Sequence, residues 1–296
     1  MQQNVSGILM VIAAMAAFTI EDVLIKQLTQ VLPRGQVMIL LGLGGGLVFF
    51  AMALARRDRI AARGAWSRLT LARAGTEIVA AMGFVTALSL VDISVVASVF
   101  QVTPLAITMG AALFFGEAVG WRRWTAIALG FSGVLLILRP GLGDFEPAAL
   151  LTLLAVVGIA ARDLLTRLLP ADAASSVIGM QGFLAMSVAG VLMFLIEGAP
   201  MGVLPMIEAL RLLAALLFGV LGYYGIVTAM RVADASAVTP FRYARLLFSL
   251  ILGVIIFEER PDLLTLTGAA LIIATGLYTF LRERRLAKRI AVQATV

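Results

Sequence analysis

Eight charged side chains interrupt stretches of this chain that are otherwise apolar: Glu21, Asp22, Lys26, Glu77, Arg162, Asp163, Arg242 and Arg245. A guanidinium can hold a carboxylate through two parallel N–H donors, and a carboxylate can hold an ammonium or carry a proton. Arg242, Arg245 and Ser249 are spaced by 3 and 4, which puts them on one face of a helix. With Glu77 or Asp22 available for an ammonium, these groups together suit a zwitterion; the alternative is an internal pair of Glu77 with one of the two arginines. Asp22 and Lys26 are four apart, as are Asp163 and Arg167, so each pair can meet on its own helix. They read either as structural pairs that lower the cost of insertion or as two gates. Phe84, Phe100, Gln101, Tyr223 and Tyr243 complete the candidate set, and adjacent Tyr223 and Tyr224 cannot both face one cavity. The chain has no His and no Cys, which excludes a Ser-His-Asp triad, a thiolate nucleophile, a histidine-ligated metal and a histidine proton relay. No metal and no cofactor is expected.

These charges need elements to position them. Of 296 residues, 61% are hydrophobic and 14% charged, against roughly 45–50% and about 25% in soluble domains. The apolar stretches resolve into ten helical spans of about 20 residues, near 6–30, 34–55, 71–91, 94–115, 123–139, 148–169, 174–196, 209–231, 236–257 and 262–281. The first lacks a basic start and runs into Glu21 and Asp22, unlike a cleaved leader. Pro104 inside span four predicts a kink, because it frees a carbonyl one turn back. Pro240, in the first turn of span nine, is tolerated there, and Gly42, Gly44, Gly45 and Gly46 read as helix packing in span two.

Cationic loops stay in the cytoplasm. Sorting the 23 Lys and Arg puts 15 on one side: Arg56, Arg57, Arg59, Arg63, Arg68, Arg73, Arg122, Arg123, Arg167, Arg231, Arg282, Arg284, Arg285, Lys288 and Arg289. Only Arg34, Arg139, Arg211 and Arg260 fall on the other, with Asp144, Glu146, Glu197, Glu208, Glu258 and Asp262. Both termini are therefore expected in the cytoplasm. The net charge of +6 reflects this topology, and no nucleic-acid partner is expected. Trp66, Trp121 and Trp124 suit interfacial anchors.

The sequence repeats itself. Gly83-Phe84-Val85-Thr86-Ala87-Leu88-Ser89-Leu90-Val91-Asp92-Ile93-Ser94 matches Gly225-Ile226-Val227-Thr228-Ala229-Met230-Arg231-Val232-Ala233-Asp234-Ala235-Ser236 at six positions of twelve, at an offset of 142. The same offset carries Phe115 and Glu117 onto Phe257 and Glu259, and an offset of 141 carries Asp22 and Lys26 onto Asp163 and Arg167. Five spans per copy is an odd number, so the second copy enters the membrane inverted, an architecture suited to alternating access. The expected fold is all-α, with a first five-helix repeat over 1–139, a second over 140–282 and a basic tail over 283–296. Glu77, Arg242 and Arg245 have uncharged mates, Gly219, Phe100 and Thr103, so the repeat alone does not account for them.

Two five-span halves, Leu113-Phe114-Phe115-Gly116-Glu117 followed by Gly130 and Gly133, and Phe257-Glu258-Glu259 followed by Gly268 and Gly276, resemble the drug/metabolite transporter superfamily and, within it, the ten-span EamA-type exporters. The likeness covers nearly all of 5–282. It implies an inner-membrane protein of the bacterial cell that exports amino acids or related metabolites, most like the exporters of broad or aromatic preference. Drugs or organic cations are the alternative cargo. Glu258 departs from the small residue usual at that position.

Other classes lack their signatures. No GxxxxGK marks a nucleotide site, no DDxxD a prenyltransferase, and no loop exceeds about 20 residues, which leaves little for a receptor or scaffold. Facilitated efflux and proton antiport through Glu21, Asp22, Glu77 or Asp163 both remain open. The expected partners are a small molecule and the lipid bilayer, and a monomer is compatible with the sequence. The topology makes a direct prediction: a reporter fused after Arg289 will lie in the cytoplasm and a tag between Gly141 and Asp144 outside it. Finding both on one side would rule out the inverted arrangement.

Overall fold

The computed structural model describes residues 2–117, 119–140, 146–170, 173–233 and 238–293, with side chains except at 2–4, 227, 230–232, 239 and 283–293. Asp144, Asp234, Ala235 and Ser236 lie outside the described residues, as do the side chains of Arg231 and of tail residues Arg284, Arg285, Lys288 and Arg289. Eleven α-helices are described: α1 Gln2–Val31, α2 Arg34–Arg56, α3 Arg68–Leu90, α4 Ile93–Phe100, α5 Thr103–Phe115, α6 Trp121–Leu138, α7 Leu150–Thr166, α8 Ser175–Glu197, α9 Met206–Val232, α10 Ala244–Phe257 and α11 Leu263–Gln293. Short 3-10 turns cover Gly64–Trp66, Pro147–Ala149 and Thr239–Tyr243, and no strand occurs among the described residues. Ten segments are long and apolar enough to cross a membrane, with α4 and α5 sharing the fourth, Ile93–Phe115. Helix α11 runs to Gln293, beyond the end expected at 281, because nothing in the basic segment breaks it.

The chain forms two compact units. One comprises Ile20–Val96 and Glu146–Val220; the other comprises Met1–Thr19, Ala97–Phe145 and Leu221–Val296. In the first, α2 lies along α8 and α3 along α7. The span-two glycines set these distances as expected: a Cβ on Gly42 would stand 2.6 Å from the Phe183 carbonyl oxygen, and one on Gly45 would overlap the Phe183 ring. That ring stacks on Phe49 with centroids 5.4 Å apart. The arginine-rich loop before α3 is tied down, since Trp66 donates to the Ile60 carbonyl and Gln181 to that of Ala65. Ser67 caps α3 by accepting from the Thr70 amide.

In the second unit, α6 and α11 cross so closely that Gly133 and Gly268 each face the other's carbonyl, at 2.8 and 2.6 Å from an imagined Cβ. Asp262 caps α11 through the Thr265 amide and is bonded to Arg139. Those bonds, from Arg139 first, hold its carboxyl down at about 2.

Two glycines matched by the sequence repeat each lie against a neighbouring helix. A Cβ on Gly83 would meet the Leu151 carbonyl oxygen at 2.8 Å and the Ala155 amide nitrogen at 2.9 Å; one on Gly225 would meet Met10 O at 3.5 Å and Ala14 Cβ at 3.1 Å. The offsets found in the sequence carry Gly83, Leu151 and Ala155 onto Gly225, Met10 and Ala14. Helices α5 and α10 also end alike. The Glu117 amide bonds Ala111 O and the Glu259 amide bonds Gly253 O, each after a left-handed residue, Gly116 at φ +66° and Glu258 at φ +55°. Glycine takes this conformation freely, whereas a side chain there costs roughly 1–2 kcal/mol. Glu258→Gly is therefore expected to raise the melting temperature in detergent by about 2 °C, from about 1 kcal/mol recovered. An unchanged or lower value would mean that the Glu258 side chain makes up the backbone cost.

Candidate functional site

The first unit holds a network of charges between α3 and α7. Gly158 brings these helices together, since a Cβ there would stand 2.8 Å from the Ala80 amide nitrogen. One turn away on each helix, Arg162 reaches Glu77 at 3.2 Å. The same guanidinium bonds its chain neighbour Asp163 at 2.8 and 2.9 Å. Arg73, one turn before Glu77, lies 3.7 Å from that carboxylate and donates to the Thr166 hydroxyl at 2.9 Å. The expected own-helix pairing of Asp163 with Arg167 gives way to these contacts, because α7 ends at Thr166 and leaves exposed Arg167 as its cap. Glu77, expected to meet Arg242, Arg245 or an ammonium, is held by Arg73 and Arg162.

The other sequence-derived gate residues are also anchored locally. Lys26, buried, donates to Val91 O and to Leu88 O at 3.2 Å. It therefore satisfies carbonyls at the C-terminus of α3, where a cation also complements the helix dipole. Asp22 is buried on the same helix. The Glu21 carboxylate occupies the space over Gly219, 2.5 Å from where a Cβ would stand. Positions 21 and 219 are the repeat mates of 162 and 77, so the Arg162–Glu77 crossing has a counterpart in which a carboxylate faces glycine. Phe84 is half-buried on α3.

The second unit contains the remaining candidates, at two interrupted spans. Helix α4 stops at Phe100 and α5 starts at Thr103, with Gln101 and Val102 bonding three residues back to Ser98 and Val99. Pro104 cannot donate to the Phe100 carbonyl; the Thr103 hydroxyl does so instead, at 2.5 Å. In span nine the 3-10 turn Thr239–Tyr243 gives way to α10 at Ala244. The offset of 142 carries Gln101–Val102 onto Tyr243–Ala244, so both spans change at equivalent positions.

The face predicted for α10 divides. Arg242 is exposed, and Ser249 is fully buried with no hydrogen-bond partner for its hydroxyl among the described residues. Half-buried Arg245 lies over two rings, its Cζ 5.5 Å from the Phe18 centroid and 5.4 Å from that of Phe100. Such distances allow the rings' negative faces to attract the cation. Tyr243 turns toward α11, its hydroxyl over Gly276, and Tyr223 is exposed on α9. Sequence reasoning missed Phe18; its one signal was its place four residues before Asp22 on α1.

Comparison with known proteins gives this geometry a context. Residues 5–139 and 146–281 each match the EamA-like transporter family. The chain is 30% identical to a riboflavin transporter of Rhizobium johnstonii, over 95% of this chain and 93% of that one. It is 32% identical to an S-adenosylmethionine uptake transporter of Rickettsia conorii over 63% of this chain, and that match spans 62% of the relative's length. A riboflavin transporter of Vibrio cholerae is 29% identical over 65% of the chain. A solved crystal structure shares the fold, with a TM-score of 0.59 and 21% identity over 95% of this chain and 98% of that one. The family and these relatives are named as transporters, not enzymes.

The α3–α7 network gives a separate stability prediction. Arg162→Gln and Glu77→Gln should each cost about 1–3 kcal/mol, because each leaves a charged partner short of a bond. The double variant should be more stable than the two losses summed, with a coupling of about 1 kcal/mol. Strict additivity in detergent melting would show that the pair contributes nothing.

Proposed function

We propose, given that the chain belongs to the EamA-like transporter family, that it is a secondary transporter of the bacterial inner membrane, with cytoplasmic termini, moving an amino acid or an amino-acid-bearing metabolite by alternating access. The observation that carries this reading is the equivalent interruption of spans four and nine with Arg245 beside the break. Broken helices near the middle of a membrane leave backbone and side-chain groups able to meet a polar cargo. Arg245 serves as the group that holds the substrate's carboxylate. An arginine in a span costs at least about 2.5–3.5 kcal/mol on insertion scales, and its repeat mate is an uncharged threonine. Export follows from the sequence resemblance; the relatives named for uptake favour a carrier whose direction is set by the substrate gradient.

A second reading of the cargo, a flavin or an adenosine-bearing metabolite, is favoured by the names of the relatives. Both readings are tested by counterflow in proteoliposomes with amino acids, S-adenosylmethionine, riboflavin, organic cations and phosphate esters at two pH values. Arg245→Ala should weaken apparent affinity for an acid by about ten- to a hundredfold, the loss of one charge-assisted contact worth about 1.5–3 kcal/mol. The preference of wild type for an acid over its amide should vanish with it, and Arg245→Lys should rescue only partly. If the alanine variant keeps that preference, the carboxylate is bound elsewhere.

A further inference from the structure

We propose that Phe18 and Phe100 form a slot for a flat heteroaromatic ring of the substrate, with Arg245, the group proposed above to hold the carboxylate, as the side chain that yields the place to the ring. This rests on the transport reading above and names the class of cargo that it favours. The guanidinium carbon lies 5.5 and 5.4 Å from the two ring centroids. A substrate ring centred at that point would stand within the roughly 4.5–7 Å at which aromatic rings attract each other offset or edge to face. The guanidinium is itself flat, and its long side chain allows it to move aside with its in-plane donors still directed at an acceptor.

The slot is prearranged on both sides. The Phe18 ring rests on Gly222, where a Cβ would meet three of its carbon atoms at 3.0 Å, so this glycine is what makes room for the ring. Next to it, the Thr19 hydroxyl donates to Met15 O at 2.9 Å and stands 3.4 Å from the Arg245 carbonyl oxygen, which places α1 beside the first turn of α10. Phe100 is the last residue of α4, fixed by the bond from Thr103 to its carbonyl. The duplicated fold does not require this arrangement. The repeat mates of Phe18, Phe100 and Arg245 are Ile159, Arg242 and Thr103, so no second copy of the two rings and cation exists at the equivalent positions. What occurs once in a duplicated chain, at an interrupted span, suits a ligand and not the packing.

The test uses the full chain in lipid nanodiscs for binding and in proteoliposomes for counterflow. The probes are riboflavin, S-adenosylmethionine, tryptophan and methionine, the last sharing the amino-acid end of S-adenosylmethionine without its ring. Phe18→Leu and Phe100→Leu should each weaken the three ring-bearing probes by about three- to tenfold, the value of one aromatic contact, and leave methionine within twofold. Phe100→Trp, which keeps an aromatic face, should preserve the preference for rings and covers the case of a leucine variant that fails to fold. An equal loss for all four probes would make the two rings structural and overturn the slot. Wild type that transports methionine but no ring-bearing probe would overturn the slot and leave the transport reading standing. No counterflow of any probe, including those of the wider panel, would overturn both.

Discussion

A polypeptide in hydrocarbon has no water to complete its hydrogen bonds, so each interruption of a helix must be satisfied by the chain itself. The consequences run through this protein. At Pro104 the ring removes the donor that Phe100 O would have used, and the hydroxyl of the preceding residue supplies a replacement. At the end of α3 the buried ammonium of Lys26 takes over carbonyls that the helix can no longer serve. At the ends of α5 and α10 the same left-handed closure bonds the amides of Glu117 and Glu259 back into the last turn. The bond across the break in span four, the charge inside α1 and the left-handed closures of α5 and α10 thus answer one requirement.

Much of the fold was legible because that requirement acts locally. Ten apolar stretches of sufficient length give ten spans. The break before Pro104 accompanies one missing donor, and Gly42 and Gly45 of span two lie where backbone and ring leave room for nothing larger. Gly83 and Gly225, matched by the twelve-residue repeat, both lie against a neighbouring helix. Boundaries were less legible: α11 continues through the basic residues after 281, since such residues are good helix formers in or out of a membrane.

The candidate site was legible by residue and not by partner. Spacing arguments find neighbours one turn apart on the same helix and say nothing of partners on other helices. The structure joins Arg162 to Glu77 across two helices and Lys26 to the end of α3, separations of 85 and 62 residues. No periodicity encodes such distances. Phe18 escaped notice for the same reason: an aromatic residue on an apolar span looks like any other until Arg245 is found beside its ring. Ser249 shares a face with Arg245 in projection, yet one turn further along, that face is closed over by its own packing.

The two related helix crossings, Arg162 against Glu77 and Glu21 against Gly219, differ in more than sequence. Under the proposed inversion, two identical halves would make the conformation open to one side and its mirror open to the other equal in free energy. An ion pair owned by one crossing alone removes that equality. Each 1.4 kcal/mol by which the pair strengthens in one conformation over the other is a tenfold preference for it. The crossings differ at two residues, Glu21 for Arg162 and Gly219 for Glu77, and under the proposed alternating access those two differences would bias which side the resting protein faces.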